Sequence, residues 1–140
     1  MKFLKKSLGQ NFLTDKNIVR KILNLTNLEN KNVIEIGPGK GSLTDEILKR
    51  NPSSLILLEK DKNLFKFLKK KYSSNNIIRI INVDVLKFDF EIFKKKYILL
   101  GNLPYNISSQ ILIKILKSKK IRKFDDIIFM FQKELGEKII

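Results

Sequence analysis

Five short apolar runs, at residues 33–36, 55–58, 77–83, 97–100 and 127–131, are separated by charged segments in which apolar residues recur at helical spacing. That alternation leaves few architectures open, because strands and helices impose different periods on where apolar residues fall. Runs of Ile, Leu and Val without polar alternation read as parallel strands covered on both faces. Between them, Leu64, Phe65, Leu68 and Tyr72 form one stripe and Ile111, Leu112, Ile115 and Leu116 another, each predicting a covering helix. Ile18, Val19, Ile22 and Leu23 predict a helix ahead of the first strand, with Asp15 as its N-cap. The expected fold class is therefore α/β, an open sheet of βαβ units. At 140 residues, 43% hydrophobic and 31% charged, the chain fits one globular domain over residues 1–140, with no internal repeat or linker-like tract.

In such a sheet, ligands bind outside the carboxyl ends of the strands where strand order reverses, so the loops after the apolar runs carry the functional information. The first is Gly37-Pro38-Gly39-Lys40-Gly41, whose glycines permit a tight turn and close approach to a ligand. Ser42-Leu43-Thr44-Asp45 then has capping-box spacing for the next helix. The loop is neither Gly-x-Gly-x-x-Gly nor a nucleotide-triphosphate loop, which disfavours pyrophosphate binding, and alone it is compatible with plain turn chemistry. The second strand ends at Glu59, 22 residues after Gly37, where a carboxylate can accept both hydroxyls of a ribose. The third ends at Asp84, an acceptor for an adenine amino group, with Leu86 to line the ring. Singly, Glu59 or Asp61 could cap a helix and Asp84 could close a turn. Together, three successive strand ends describe an adenosine pocket.

The fourth run leads into Asn102-Leu103-Pro104-Tyr105. Asn and Pro punctuate many strand ends, so a polar turn is one reading. The other is chemical. The lone pair of an adenine N6 amine is delocalised into the ring, so alkylating it calls for acceptors that hold its N–H groups and favour a tetrahedral nitrogen. The Asn102 amide oxygen and the Leu103 carbonyl suit that task, Pro104 fixes φ beyond them, and Tyr105 offers a face for a stacked base.

The chain contains no Cys and no His, which removes disulfides, thiolate chemistry and the commonest general base and metal ligand. Lys and Arg number 29 against 14 Asp and Glu, a net charge of +15 that draws a polyanion such as RNA. Only Arg20, Arg50, Arg79 and Arg122 are arginines, and Lys clusters such as Lys69-Lys70-Lys71, Lys94-Lys95-Lys96 and Lys119-Lys120-Ile121-Arg122-Lys123 also fit solvated faces. The start, Met1-Lys2-Phe3-Leu4-Lys5-Lys6-Ser7, precedes no apolar stretch of signal-peptide length, and no run reaches membrane-spanning length, so a cytoplasmic location is expected.

With these elements in order, the chain resembles class I S-adenosylmethionine-dependent methyltransferases acting on adenine N6. The resemblance narrows at three longer segments: Lys6-Ser7-Leu8-Gly9-Gln10-Asn11-Phe12-Leu13-Thr14-Asp15, Glu35-Ile36-Gly37-Pro38-Gly39-Lys40-Gly41-Ser42-Leu43-Thr44, and Gly101-Asn102-Leu103-Pro104-Tyr105-Asn106-Ile107-Ser108. They are similar to signatures of the KsgA-type ribosomal RNA adenine dimethyltransferases, and Phe131-Gln132-Lys133-Glu134 fits as a further element. The resemblance implies a Rossmann-like fold of five parallel strands with helices on both faces, and S-adenosylmethionine as cofactor. It implies that Asn11 and Leu13 border the methionine end, Gly37 and Gly39 belong to the cofactor loop, Glu59 takes the ribose, Asp84 the adenine, and Asn102 sits between cofactor and target. Asn102, Leu103 and Tyr105 would serve the reaction itself. The implied substrate is small-subunit ribosomal RNA in the pre-ribosomal small subunit, dimethylated at two adjacent adenosines near its 3′ end during ribosome biogenesis, without metal or covalent intermediate.

The chain ends at Ile140, shortly after the fifth run and roughly halfway through a typical member of that family. The expectation is therefore an N-terminal portion that lacks the closing β-hairpin, the aromatic and Pro-rich loop and the small C-terminal helical domain. It keeps the cofactor contacts while substrate capture depends on the missing half, and a complete member would be monomeric. Residues 127–131 would then present an apolar edge open to association. Three competing readings remain. A large-subunit rRNA adenine dimethyltransferase shares the same Asn-Leu-Pro-Tyr chemistry. An NAD-binding dehydrogenase domain fits the glycine loop and Glu59 but leaves residues 102–105 unexplained. A non-catalytic RNA-binding or assembly factor fits the charge. If Lys5, Lys6 and the 119–123 cluster contact phosphates, neutralising them will flatten the salt dependence of RNA affinity, by about 0.7 in log–log slope per lost single-strand contact. An unchanged slope in a filter-binding titration would place these residues off the RNA path.

Overall fold

The computed structural model describes residues 16–118 and 121–130. In chain order the elements are α1 (Lys16–Leu23), β1 (Asn32–Ile36), α2 (Ser42–Leu48), β2 (Ser54–Glu59), α3 (Lys62–Lys71), β3 (Ile78–Asn82), β4 (Tyr97–Asn102), α4 (Tyr105–Lys117) and β5 (Phe124–Met130). Every strand pairing is parallel and the sheet order is β3-β2-β1-β4-β5. The expected α/β sheet with helices on both faces is present. Asp15, the expected cap of α1, lies outside the described residues.

The unbroken apolar runs are explained by two cores. Strand side chains alternate between faces, so Val33, Leu55, Leu57, Ile98 and Leu100 point one way, into Val19 and Leu23 of α1, Leu43 and Ile47 of α2, and Leu68 of α3. Ile34, Ile36, Ile56, Leu58 and Leu99 point the other way, into Ile111 and Ile115 of α4 and a group of aromatic rings. The inner strands β1, β2 and β4 are apolar along almost their whole length because neither of their faces meets water, whereas the edge strands β3 and β5 keep exposed polar positions such as Arg79 and Asp126. Glu35 breaks that rule: it is fully buried on the face of α1, α2 and α3.

The connection from β3 to β4 departs from the helical spacing read in the sequence. It contains two short 3-10 turns, Val85–Lys87 and Phe90–Ile92, and no α-helix. The reason is local. Asp84 accepts a hydrogen bond from the Leu86 amide at 3.0 Å, and Asp89 from the Glu91 amide at 2.9 Å. Each offers the backbone a tight turn in place of a helix. Phe88, Phe90 and Phe93 supply the cover instead, with ring centroids 5.2 Å apart for Phe88 and Phe90 and 4.8 Å for Phe93 and Tyr97.

Two further expectations are corrected. The α4 stripe is narrower than Ile111, Leu112, Ile115 and Leu116: Ser108, Ile111 and Ile115 are buried, while Leu112 is 38% and Leu116 53% exposed. Each residue advances about 100° around a helix, which carries 112 and 116 past the line facing the sheet. Strand β5 begins at Phe124, earlier than 127, and its register shifts between the Tyr97–Phe124 and Ile98–Asp126 pairs. Among the described residues β5 pairs on one side only, with Ile127, Ile128 and Phe129 half-buried. Residue Phe131 of the expected run is outside the described residues. No helix among those described is long and apolar enough to cross a membrane.

This burial makes a direct contrast testable. Leu57→Ala, at a position with no exposed surface, is expected to cost about 2–5 kcal/mol. Leu112→Ala should stay within about 0.5 kcal/mol of the starting chain. Urea unfolding midpoints measure both, and equal losses would contradict the placement of α4.

Candidate active site

Strand order reverses at β1, which the chain lays down first, flanks with β2 on one side and later flanks with β4 on the other. Register then gathers the carboxyl ends. Ile36 lies opposite both Leu58 and Gly101, Glu59 opposite Asn82, and Asn102 opposite Met130. The 37–41 loop, Glu59, the 83–88 segment and residues 102–105 therefore open at one end of the sheet, as expected of a ligand crevice in this architecture.

The glycine loop is fitted tightly to its neighbours. Gly37 has φ +65° and hydrogen-bonds its amide to the Leu58 carbonyl at 2.9 Å, and an added Cβ would stand 2.9 Å from Leu103 Cδ2. The loop and the Asn-Leu-Pro-Tyr segment meet because no side chain separates them. Gly41, with φ +94°, is the N-cap of α2, so the capping box expected at Ser42 does not form. A side chain at 41 would strike the Tyr72 hydroxyl. Thr44 and Asp45, the remainder of that expected box, serve other partners. The Thr44 hydroxyl donates to Glu35 Oε1 at 2.6 Å. Asp45 accepts from the Tyr72 hydroxyl at 2.7 Å and from Lys71 Nζ at 2.9 Å. Lys71 also donates to the Lys40 carbonyl at 2.9 Å, so the end of α3 clamps the loop from outside.

Glu59 is buried at the end of β2, its Oε1 accepting the Gly39 amide at 3.2 Å and its Oε2 the Asp61 amide at 2.9 Å. Each oxygen keeps acceptor capacity beyond its one bond, enough for two hydroxyls. Capping of α3 falls to Asp61, which accepts from the amides of Asn63 and Leu64. Asp84 does close a turn, through Leu86, and its Oδ2 lies 3.7 Å from Lys60 Nζ. The turn reading of Asp84 is therefore realised through Oδ1. Leu86 is half-buried against the aromatic core.

At the end of β4, the Leu103 amide donates to the Met130 carbonyl at 3.0 Å. The Pro104 carbonyl takes the amides of Ile107 and Ser108, both at 3.1 Å, to open α4. Among the described residues, neither the Asn102 side-chain amide nor the Leu103 carbonyl has a hydrogen-bond partner. Tyr105, the first residue of α4, is 37% exposed. Thus two acceptors and an aromatic residue lie on the segment after β4 whose Leu103 side chain meets Gly37, with Glu59 and Asp84 after the neighbouring strands. Asn11, Leu13, Lys5, Lys6, residues 119 and 120 and the Phe131-Gln132-Lys133-Glu134 segment lie outside the described residues. Among those described, no three acidic groups stand together as a metal site. An open cleft of about 510 Å³ beside the β3 edge, lined by Lys69, Ser73, Asn75 and Arg79 among others, is away from these strand ends and brings none of their acceptors together.

Sequence reading missed the supports: Glu35, Thr44, Asp45, Lys71 and Tyr72. One signal was available, since a Glu inside the run Val33-Ile34-Glu35-Ile36 is a charge in a buried strand. Burial raises its carboxyl from 4.5 to about 8, opposed by the Thr44 hydrogen bond and reinforced by the charges of Asp45 and Glu59. Burial and donation to Asp45 likewise push the Tyr72 phenol upward.

A family model described as "Ribosomal RNA adenine dimethylase" matches residues 1–140. The chain is 49% identical over 138 residues to the ribosomal RNA small subunit methyltransferase A of Pelagibacter ubique, covering 97% of this chain and 52% of that protein. It is 45% identical over 136 residues to the protein of the same name from Mycoplasma mobile, with 97% and 52% covered. The chain thus spans about half the length of the curated relatives it matches. Among solved structures, the 23S rRNA methyltransferase ErmE superposes with a TM-score of 0.75 at 28% identity, covering 91% of this chain and 50% of that one. A dimethyladenosine transferase from Plasmodium falciparum gives 0.70 at 28%, covering 88% and 44%. The fold is accordingly the Rossmann-like fold of S-adenosylmethionine-dependent methyltransferases.

Glu35 generates a pH prediction. A carboxyl whose folded pKa lies above its unfolded value contributes stability below the unfolded value and loses it as pH rises through the folded one. Here that window runs from 4.5 to about 8. The urea midpoint of the unaltered chain should fall from about pH 5 to about pH 8, and Glu35→Gln should remove that component of the slope. Parallel profiles for the two proteins would show that Glu35 is not held neutral.

Proposed function

The chain belongs to the ribosomal RNA adenine dimethylase family, and on that premise we propose that it methylates N6 of two adjacent adenosines near the 3′ end of small-subunit ribosomal RNA, giving N6-dimethyladenosine. S-adenosylmethionine, the methyl donor, supplies an electrophilic sulfonium-bound methyl group. Residues 1–140 form the N-terminal portion of one methyltransferase domain. The observation that carries the reading is the pair of acceptors, the Asn102 amide oxygen and the Leu103 carbonyl, which have no partner among the described residues, on the segment whose Leu103 side chain closes on Gly37.

In this reading the 37–41 backbone borders the cofactor, Glu59 accepts its ribose hydroxyls, and Asp84 accepts from its adenine amino group. Asn11 and Leu13 border its methionine end. Asn102 and Leu103 accept the N6 hydrogens of the target base and draw its nitrogen toward a tetrahedral geometry, freeing the lone pair to attack. Tyr105 stacks the base, which limits its orientation. The bound cofactor would supply the methyl group and retain the electron pair of the broken sulfur–carbon bond, while Asn102, Leu103 and Tyr105 hold the attacking nitrogen in place and its proton passes to solvent after transfer. No His, Cys or metal is required by this displacement. The net charge of +15 favours RNA as partner, in a cytoplasmic setting and during ribosome biogenesis. Monomeric behaviour is proposed for the complete protein, with β5 the surface for association where its outer edge is unpaired.

A large-subunit target is the second reading, favoured by the superposition with ErmE. The identity to small subunit methyltransferases is higher, 49% against 28%, and favours the first. The test is transfer of labelled methyl from S-adenosylmethionine to undermethylated small subunits, with large subunits and Asn102→Ala as controls, followed by nucleoside analysis. Label is expected on small subunits as N6-dimethyladenosine, with Asn102→Ala slower by about 100-fold or more. Label on large subunits alone would replace the target. Cofactor binding without transfer to either subunit would leave a non-catalytic RNA-binding role.

A further inference from the structure

Lys114, on the third turn of α4, uses its ammonium in an unusual way. It donates to three backbone carbonyls of the connection after β3: Leu86 at 2.9 Å, Val85 at 3.4 Å, and Phe88. An ammonium has three donors, and here each meets a carbonyl. Its nitrogen also lies 5.8 Å from the centroid of the Phe90 ring. Among the described residues no carboxylate forms an ion pair with it. The charge is therefore committed to the shape of a loop.

That loop carries Asp84. The Leu86 peptide links the two: its carbonyl accepts from Lys114, and its amide donates to Asp84 Oδ1 at 3.0 Å. The Lys87 amide closes the same turn on the Asp84 carbonyl at 2.9 Å, and the Phe88 amide bonds to Val85 at 3.1 Å. The carbonyls at the end of so short a turn have few partners within it, and those of Val85 and Phe88 belong to buried residues beside aromatic rings. A donor from α4 satisfies them. Helix α4 also begins at Tyr105, so one rigid element joins this brace to the residues proposed to hold the target base.

We propose that Lys114 is a positioning residue: by holding the Val85, Leu86 and Phe88 carbonyls it sets the orientation of the Asp84 carboxylate, and so the affinity for the adenosine end of the cofactor. The proposal rests on the reading above that Asp84 faces the adenine ring. The side chain itself touches neither cofactor nor reacting atoms.

The test uses the full chain, Lys114→Met and Lys114→Arg. Equilibrium dialysis measures S-adenosylmethionine and 5′-methylthioadenosine, which share the adenosine end and differ at the amino-acid end. Lys114→Met should weaken both ligands by the same factor, about tenfold. Lys114→Arg, which keeps a cationic donor, should stay within about threefold. Hydrogen exchange without ligand should quicken at the Leu86, Lys87 and Phe88 amides in Lys114→Met and little elsewhere. A uniform rise in exchange across the sheet would mark general destabilisation and overturn the proposal, as would unchanged affinity for both ligands or loss confined to S-adenosylmethionine. Failure of the unaltered chain to bind either ligand would overturn the cofactor reading and this inference with it, an outcome separated from the others because it appears before any substitution.

Discussion

The pairing of β1 with β2 on one side and β4 on the other is the constraint on which the rest depends. Parallel strands cannot be joined by a hairpin, so each neighbour of β1 arrives after a crossover that lies over a sheet face. Their register then decides which residues meet. With Ile36 opposite Leu58 and Gly101 at once, the first residue of the glycine loop faces Leu103 across a gap that admits no side chain at Gly37. A slip of one residue would turn every strand side chain to the opposite face. The two cores, each lined by alternate residues of β1, β2 and β4, exclude that slip.

Around this arrangement, lysine does work that composition alone does not suggest. Lys71 joins the Lys40 carbonyl to the Asp45 carboxylate and holds the first loop. Lys114 holds the connection after β3, and Lys123 reaches the Phe93 carbonyl near its end at 2.5 Å. In each case a flexible stem lies along the protein and the ammonium satisfies backbone acceptors that irregular structure leaves over. The braces act on the two connections that border the strand ends, where helical and sheet hydrogen bonding is least able to hold the chain. Part of the large positive charge therefore shapes the protein itself.

Glu35 shows a different use of charge chemistry. A carboxyl buried between a sheet and three helices is favoured in its neutral form, and one hydroxyl donor, Thr44, addresses one of its oxygens. Its position next to the glycine loop and below the first turn of α2 ties the loop's base to the core. Tyr72 and Asp45 make a comparable tie at the loop's far end. The loop is held at both ends by polar contacts within otherwise apolar surroundings, a setting in which removing one partner leaves the other poorly satisfied.

How far the sequence could be read follows from the range of each force. The parallel α/β class, the number of strands and the order of the strand-end loops were legible because burial on two faces leaves unbroken apolar runs, and because glycines, Glu59, Asp84 and residues 102–105 fall at the run ends. The capping box at Ser42, the width of the α4 stripe and the helical nature of the β3–β4 connection were misread. Each depends on a competitor that local pattern does not display: Tyr72 beneath Gly41, the rotation of α4 on the sheet, and the side chains of Asp84 and Asp89 bonding to nearby amides. By itself the sequence determined which residues stand at strand ends, since that is a matter of period and breaks in period along one dimension. Only the tertiary structure decided that Gly37 meets Leu103, that Glu35 is buried under Thr44, and that Lys71 and Lys114 brace the loops. Those contacts join residues 9 to 66 positions apart, and sheet order, register and helix rotation set their distances.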